Sequence, residues 1–187
     1  MRHLTLEELH SGLDEIRKSP KDVGVLQMIV RRPHVGQREV VEEAALDLAH
    51  GLVGDGWSTR GSSRAGDGSP DRDAQINVMN SRVIALVAQE EERWPLAGDQ
   101  LFIDLDLSAA NLPPGTRLAM GSATIEVTAP PHTGCGKFVA RFGLDATKFV
   151  NSSTGKELNL RGINAKVVQA GVVRVGNVVR KLMSKDG

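Results

Sequence analysis

Hydrophobic residues recur with a helical period near the start of the chain. Thr5 and Glu8 have the spacing of a capping box, and Pro20 lies where the pattern stops. Between them, apolar residues at spacings of three and four share one helix face: Leu6, Leu9, Leu13 and Ile16. We therefore predict an N-terminal amphipathic helix within residues 1–20, ahead of the main domain. Such a helix usually packs its apolar face against its own domain.

From residue 23 onward, the pattern changes to short β-branched runs separated by glycine-containing turns. These runs predict strands at residues 23–32, 38–46, 74–79, 100–107, 117–120, 123–128, 163–169, 172–175 and 178–182. Helices are predicted over residues 81–92, behind an Asn80 cap, in a short segment that ends at Gly143, and near residues 145–151. Many short strands and few helices predict a mainly β fold, a barrel-like domain of mixed strands over residues 21–187.

A long polar connection interrupts the strands. It opens at residues 51–56, a glycine-rich stretch that contains Asp55, and runs through Gly, Ser, Arg and Asp residues to Asp73. Connections of this length in a compact domain are uncommon and are either functional or solvated and mobile. The composition alone leaves both interpretations open.

Composition and charge narrow the function class. Lys plus Arg and Asp plus Glu are balanced at 23 each, and Tyr is absent, so the chain lacks both the basic surface and the aromatic platforms of nucleic-acid binding. The single Cys cannot form an internal disulfide, no signal-peptide pattern precedes it, and no apolar run is long enough to span a bilayer. We expect a cytoplasmic protein with a small-molecule or cofactor ligand and no membrane or nucleic-acid partner.

Several familiar catalytic motifs are excluded by spacing. Gly61 and Gly66 have the gap of a phosphate-binding loop, but Asp67 stands where that loop requires Lys. The His and Cys residues are too scattered for a structural zinc site, apart from the pair His132 and Cys135. The sequence contains no Gly-x-Ser-x-Gly nucleophile motif.

The strongest chemical signal is the segment of residues 130–138, Pro-Pro-His-Thr-Gly-Cys-Gly-Lys-Phe. Buried structural cysteines usually sit among apolar residues, whereas Cys135 lies between two glycines. His132, Lys137, Arg141 and the start of a helix near Gly136 would favour the thiolate. The residues alone are compatible with a nucleophile, a soft-metal ligand or an inert, partly exposed structural cysteine.

The chain also resembles a known family, the MOSC domain, named for the C-terminal part of molybdenum cofactor sulfurases. The resemblance runs from about Val23 to Lys181 and rests on short segments in a fixed order: residues 51–55, 71–76, 98–101, 112–116, 132–135 and 160–165. It implies a mostly β, barrel-like fold whose key cysteine carries sulfur as a persulfide or ligates the molybdenum of a pterin cofactor. Cys135 matches that cysteine, both as catalytic residue and as metal ligand.

The same resemblance places further residues in the cleft. Arg72, Gln75, Arg161 and Asn164 fall in matching motifs and, with His132, Lys137 and Arg141, complete the set of candidate cofactor-binding residues. Each charged member, taken alone, is equally compatible with a solvated surface charge.

Two positions depart from the family pattern. Trp57 stands where some members have His, and Gly176-Asn177 replaces a late Gly-Asp. The loop of residues 56–73 is therefore expected to bind a different ligand from those members, or none.

Three functions follow from these expectations. The first is a stand-alone MOSC protein that binds molybdenum cofactor or carries sulfur on Cys135, with a pyridoxal-phosphate-dependent sulfurase as the expected donor. The second is a molybdenum-dependent reductase of N-hydroxylated compounds, which would need a separate electron-transfer partner. The third is a non-catalytic binding module in which Cys135 is structural.

Overall fold

The computed structural model describes residues 2–61 and 66–183. The α-helices are α1 (Leu6–Ser11), α2 (Leu13–Arg17), α3 (Ser81–Ala88), α4 (Gly136–Asn151) and α5 (Ser153–Glu157). The strands are β1 (Val23–Arg31), β2 (Glu39–Val41), β3 (Glu43–Asp47), β4 (Gly51–Leu52), β5 (Ile76–Asn80), β6 (Leu101–Asp104), β7 (Arg117–Met120), β8 (Ala123–Val127), β9 (Ile163–Gln169), β10 (Gly171–Arg174) and β11 (Val178–Leu182). Short 3₁₀ segments lie at Gly56–Thr59, Arg72–Ala74 and Glu91–Ala97.

Seven strands of the described chain close into a mixed β-barrel. The hydrogen-bonded order is β1, β6, β5, β9, β8, β7, β11 and back to β1, and β2 extends from the outer side of β1. The β5–β6 pair is parallel and the other barrel pairs are antiparallel. Closure occurs where Val23 opposes Arg180 and Val25 opposes Val178. The predicted mainly β, barrel-like fold with a few short helices is confirmed.

Two hydrophobic clusters hold the domain together. One fills the barrel with side chains such as Ile29, Ile103 and Ile125, and a small sheet of β10, β3 and β4 adds Leu46 and Val173 to it. The other lies between the barrel wall and the helices, and its members include four aromatic side chains and two from the first helices: Phe102, Phe138, Phe142, Phe149, Leu9 and Ile16. Burial of α1 and α2 against this second cluster makes them part of the packed structure.

The predicted N-terminal helix is present but divided. Thr5 forms the expected capping box with Glu8, whereas Gly12 ends α1 and precedes α2. A Cβ at Gly12 would lie 2.5 Å from Leu86 Cδ2, so the glycine allows α3 to approach the break closely.

The predicted strand 38–46 was wrong as a single element. It consists of β2 and β3, which separate at Glu42 and pair with different partners, β1 and β10. Alternation along a continuous β-branched run does not reveal where a strand leaves one sheet for another.

The helix predicted to reach residue 92 ends earlier. Gln89 adopts a left-handed conformation (φ 65°), and its N–H donates to Ala85 O as the cap of α3. A 3₁₀ segment containing Pro95 follows, and Gly98 ends it. The strand predicted over 100–107 is also shorter, because beyond β6 the Leu105 carbonyl accepts from the Asn80 side chain instead of a neighbouring strand.

The long connection 51–73 contains β4 and two 3₁₀ segments in its described part, and residues 62–65 lie outside the described residues. Trp57, at the position of the family's His, is buried and donates from Nε1 to Asp71 O over 3.2 Å. The two ends of the loop are thereby tied together.

Candidate active site

Cys135 lies where the chain enters α4. It is the N-cap residue of that helix and is exposed. Its carbonyl accepts from the N–H groups of Phe138 and Val139, which starts the helix, whereas the sulfur makes no capping hydrogen bond of standard geometry. The thiol is therefore available to solvent at the positive end of a helix.

The surroundings of the sulfur favour its anion. Partial burial raises the pKa of the Cys135 thiol, but the backbone N–H groups of Phe138 and Lys137 and the charges of Arg161 and Lys137 outweigh it. The pKa consequently lies below the ordinary value of a thiol. The expected effect of Lys137 and the helix N-terminus is present, and Arg161 adds to it from a distant part of the sequence.

The cysteine loop is held by the far end of its own helix. The backbone of α4 breaks at Gly143, where φ is 89° and ψ 168°, so α4 consists of two helical halves that meet there, as the sequence predicted. Asn151 in the second half reaches back to Gly134: its Oδ1 accepts from Gly134 N over 2.9 Å and its Nδ2 donates to Gly134 O over 3.1 Å. A Cβ at Gly134 would lie 3.2 Å from this amide, so the glycine permits the close contact.

A buried carboxylate connects His132 to Arg161. Asp99 is fully buried, and its Oδ2 accepts from Arg161 Nη1 over 2.6 Å. Its other oxygen, Oδ1, lies 3.4 Å from His132 Nδ1. Gly162, with φ 107°, allows this packing, since a Cβ there would lie 3.3 Å from the same ring nitrogen and 2.3 Å from Val78 O.

Four arginines converge on the backbone of residues 95–98, and we call them the arginine cluster. The successive carbonyl oxygens of Pro95, Leu96, Ala97 and Gly98 accept hydrogen bonds from Arg38, Arg141, Arg161 and Arg32 respectively. Three distant parts of the chain, residues 32–38, helix α4 and the turn before β9, therefore meet at one turn.

The arginine cluster carries more positive charge than its partners neutralise. Asp55 pairs with Arg32 through two hydrogen bonds of 2.9 Å and also with Arg60, and Asp99 pairs with Arg161. Among the described residues, Arg38 and Arg141 form no ion pair with a carboxylate. Burial lowers the pKa of Arg38 below its ordinary value, and the nearby charges of Arg141, Arg32 and Arg60 lower it further.

This excess charge is what an anionic ligand would neutralise. The Arg38 and Arg141 guanidinium groups each approach within 3.8 Å of the position a Gly98 Cβ would occupy. Like charges this close, without a carboxylate between them, favour a bound anion. Arg141 lies on α4, whose N-cap is Cys135, so one helix carries both the thiol and a member of the arginine cluster.

The remaining predicted site residues hydrogen-bond to other parts of the protein. Gln75 is buried, with its amide bonded to Leu48 O and Val167 N, and Asn164 bridges Asn77 and Pro130 O. Arg72 is exposed and donates to Leu48 O. The amides of Gln75 and Asn164 are occupied by protein partners, so they hold neighbouring segments together instead of presenting a polar group to a ligand.

Sequence reasoning missed Arg32, Arg38, Asp55 and Asp99 as site residues. Asp55 and Asp99 lie in segments that the resemblance includes, but a motif does not show which distant arginine pairs with each carboxylate. Arg38 was placed in a strand, and only the folded backbone brings it to residue 95. A groove of about 760 Å³ on the outside of the barrel, lined by Asn111, Arg117 and Lys181 among others, contains none of the predicted site residues.

The family model of the MOSC domain matches residues 65–180. The chain belongs to the MOSC domain family. Cys135, Asp99 and Arg161 all fall inside the matched segment, whereas Arg32, Arg38 and Asp55 precede it. A search of curated proteins finds no match.

Solved structures show the same fold. The YUAD protein from Bacillus subtilis is 17% identical, with a TM-score of 0.58 over 86% of this chain and 97% of that chain. YiiM from Escherichia coli is 20% identical, with a TM-score of 0.54 over 87% of this chain and 72% of that chain. YiiM from Geobacillus stearothermophilus is 17% identical, with a TM-score of 0.51 over 88% of this chain and 75% of that chain. At identities this low, the similarity establishes the fold alone.

Two kinds of feature were searched for among the described residues, a membrane-spanning helix and a group of metal-binding side chains. No helix among them is long and apolar enough to cross a membrane. Within residues 2–61 and 66–183, no three His, Cys, Asp or Glu side chains are grouped so that they could hold a metal ion.

Proposed function

We propose that this MOSC protein accepts sulfur on Cys135 as a persulfide or presents that thiolate to a molybdenum–pterin cofactor, within molybdenum and sulfur cofactor metabolism. The observation that carries the proposal is an exposed cysteine at a helix N-terminus, whose thiol pKa is lowered by backbone N–H groups and by Arg161 and Lys137 although partial burial opposes the shift. A thiolate is the reactive form for attack on a donor sulfur and for binding a soft metal.

Cys135 and the arginine cluster also fit an anionic pterin cofactor. Cys135 would supply the metal ligand, and the Arg38 and Arg141 guanidiniums, unpaired with carboxylates in the described chain, would hold a phosphate through charge-assisted hydrogen bonds. A bound molybdenum centre would supply oxygen-atom and electron chemistry. The chain's own residues would orient the ligand and balance its charge.

Sulfur transfer requires a donor, and a pyridoxal-phosphate-dependent sulfurase is the proposed one. The exposed position of Cys135 allows direct contact with a donor persulfide. The solvent side of Gly136, where a Cβ would meet nothing within 4 Å, leaves room for the approach.

The test compares the wild-type protein with Cys135→Ser. Both proteins are purified from their native host, assayed for molybdenum, then incubated with a small-molecule persulfide and analysed by intact mass. The wild type should retain molybdenum or gain one sulfur atom, and the Ser variant should do neither, because a hydroxyl forms no persulfide and is a harder ligand.

Urea melts of the same two proteins separate chemistry from folding. The exposed thiol contributes little burial, so the free energy of unfolding should change by no more than about 1 kcal/mol. A Ser variant that is strongly destabilised yet still loads sulfur or molybdenum would refute the proposal and support a structural cysteine.

A further inference from the structure

The second half of helix α4 returns to the loop that precedes Cys135. In a straight helix, residues 134 and 151 would lie about 25 Å apart. The break at Gly143, where φ is 89°, turns the chain back, so that the Asn151 side chain meets the Gly134 backbone at hydrogen-bond distance. Only glycine adopts such a backbone conformation readily, so Gly143 is what permits this return.

Gly134 packs closely against one face of that second half. A Cβ at Gly134 would lie 3.2 or 3.3 Å from three side chains that share the spacing of one helix face, those of Thr147, Val150 and Asn151. A Cβ at Gly136, on the other side of the cysteine, would meet nothing within 4 Å. Of the two glycines that flank Cys135, only the first is therefore held against the rest of the protein.

Asn151 fixes the peptide planes on both sides of Gly134. Its Oδ1 accepts from Gly134 N over 2.9 Å, and its Nδ2 donates to Gly134 O over 3.1 Å. Because a peptide unit is planar, the second bond also fixes the orientation of Cys135 N. On the other side of the cysteine, the Cys135 carbonyl accepts from Phe138 N over 2.8 Å and from Val139 N over 3.1 Å. Both planes that flank Cys135 are thereby held.

These two planes decide where the sulfur can lie. With the Cys135 backbone held at φ −120° and ψ 180°, the direction of Cβ is set, and only rotation about χ1 moves Sγ. Partial burial raises the pKa of the Cys135 thiol, and the N–H groups of Phe138 and Lys137 are the largest effects that lower it. Such N–H groups act over hydrogen-bond distances, so their effect depends on how the backbone aims the sulfur.

We propose that Asn151 is the positioning residue of Cys135: by holding the Gly134 peptide, its side-chain amide keeps Sγ at the first N–H groups of α4, in the orientation that favours the thiolate; this inference rests on the proposed function. Without that amide, the backbone of Gly134 and Cys135 gains freedom, and orientations in which the sulfur leaves the helix N-terminus become populated. The thiol then ionises at higher pH and reacts more slowly at any pH below its midpoint.

The experiment measures the rate of Cys135 alkylation by iodoacetamide against pH in the wild type, Asn151→Ala and Asn111→Ala. Asn111 is the matched control because it is also half-buried and its Nδ2 donates to two backbone carbonyls, Lys21 O and Asp106 O, each over 2.8 Å. It lines the groove on the outside of the barrel. Each variant loses the hydrogen bonds of one asparagine, but only Asn151→Ala loses them beside the cysteine.

We expect Asn151→Ala to move the alkylation midpoint upward, toward the ordinary value of a thiol. At a fixed pH below the wild-type midpoint, its rate should fall by about fivefold, the size of a favourable interaction with a helix N-terminus. Asn111→Ala should keep the midpoint and the rate of the wild type. Urea melts establish that each variant is folded under the assay conditions, and both are expected to lose stability.

Gly134→Ala tests the same contact from the loop side and replaces Asn151→Ala if that protein does not fold. Its added methyl group would push the loop away from Asn151, so its midpoint should move in the same direction. A wild-type midpoint in folded Asn151→Ala or Gly134→Ala would overturn the proposal, since Asn151 would then contribute to stability alone. An equal shift in Asn111→Ala would overturn it as well, because any loss of stability would then have the same effect.

Alkylation needs neither a sulfur donor nor a molybdenum centre. A wild type that neither gains sulfur nor retains molybdenum would therefore count against the proposed function, whereas the alkylation profiles alone decide the role of Asn151.

Discussion

Cys135 owes its expected reactivity to charges that come from two directions. Lys137 follows it on α4, while Arg161 reaches it from the turn before β9. The effect of Lys137 on the thiol can be predicted from the sequence, because Lys137 is only two residues from Cys135. The effect of Arg161 depends on Asp99 and Ala97, which hold it in place.

The lowered thiol pKa predicts how alkylation depends on pH. Cys135 should react with iodoacetamide with a midpoint pH below the ordinary pKa of a thiol, because the thiolate is already favoured at lower pH. Lys137→Gln should move the midpoint upward, toward the ordinary value. Lys148→Gln, an exposed charge near the other end of α4, is the control and should not move it. A wild-type midpoint at or above the ordinary value would contradict the prediction.

At the scale of elements, the site depends on the two halves of helix α4. The break at Gly143 brings Asn151 to the Gly134 peptide, immediately before the cysteine. The helix that presents the thiol thus also fixes the loop that leads to it.

Asn151→Ala should destabilise the protein by about 1–3 kcal/mol, because both polar groups of the partly buried Gly134 peptide lose their partner. Urea denaturation gives the stability, and hydrogen exchange at the Gly134 amide should become faster. Lys148→Ala, one turn earlier with only a 3.8 Å ion pair to Asp145, should stay within about 0.5 kcal/mol of the wild type. Equal melts for the two variants would show that the Asn151 contacts contribute nothing.

The sequence predicted most closely the elements whose ends are marked by turn residues. The hairpin of β7 and β8, strand β9 and the two halves of α4 are bounded by glycine turns and were predicted closely. The division of residues 38–46 was missed because the partners of β2 and β3 lie far away in sequence. For the same reason, the sequence identified Cys135 and Arg141 but not the turn 95–98 at which the arginine cluster assembles.

At the scale of the molecule, the N-terminal helices and the barrel share a hydrophobic cluster. Leu9 is 1% exposed and belongs to the same cluster as Phe138 and Phe142, which lie just behind the cysteine. Residues 1–20 were predicted as an amphipathic helix ahead of the main domain. Their packing implies that they unfold together with the rest.

Leu9→Ala should therefore lower the free energy of unfolding of the whole domain by about 2–5 kcal/mol, through loss of burial and the cavity that remains. A single cooperative urea transition, seen alike by circular dichroism and by tryptophan fluorescence, is the expected form. Leu144→Ala is the exposed control and should have little effect. A separate early transition in the variant would instead show that the N-terminal helices form an independent unit.

Pairing of β1 with β11 closes the barrel and places its first and last strands next to each other. Lys181 N donates to Asp22 O, so the start of the first strand and the finish of the last lie side by side. Pairing of such distant segments carries a large loop-closure cost during folding. In a refolding experiment the β1–β11 pair should therefore form after local pairs such as the hairpin of β7 and β8.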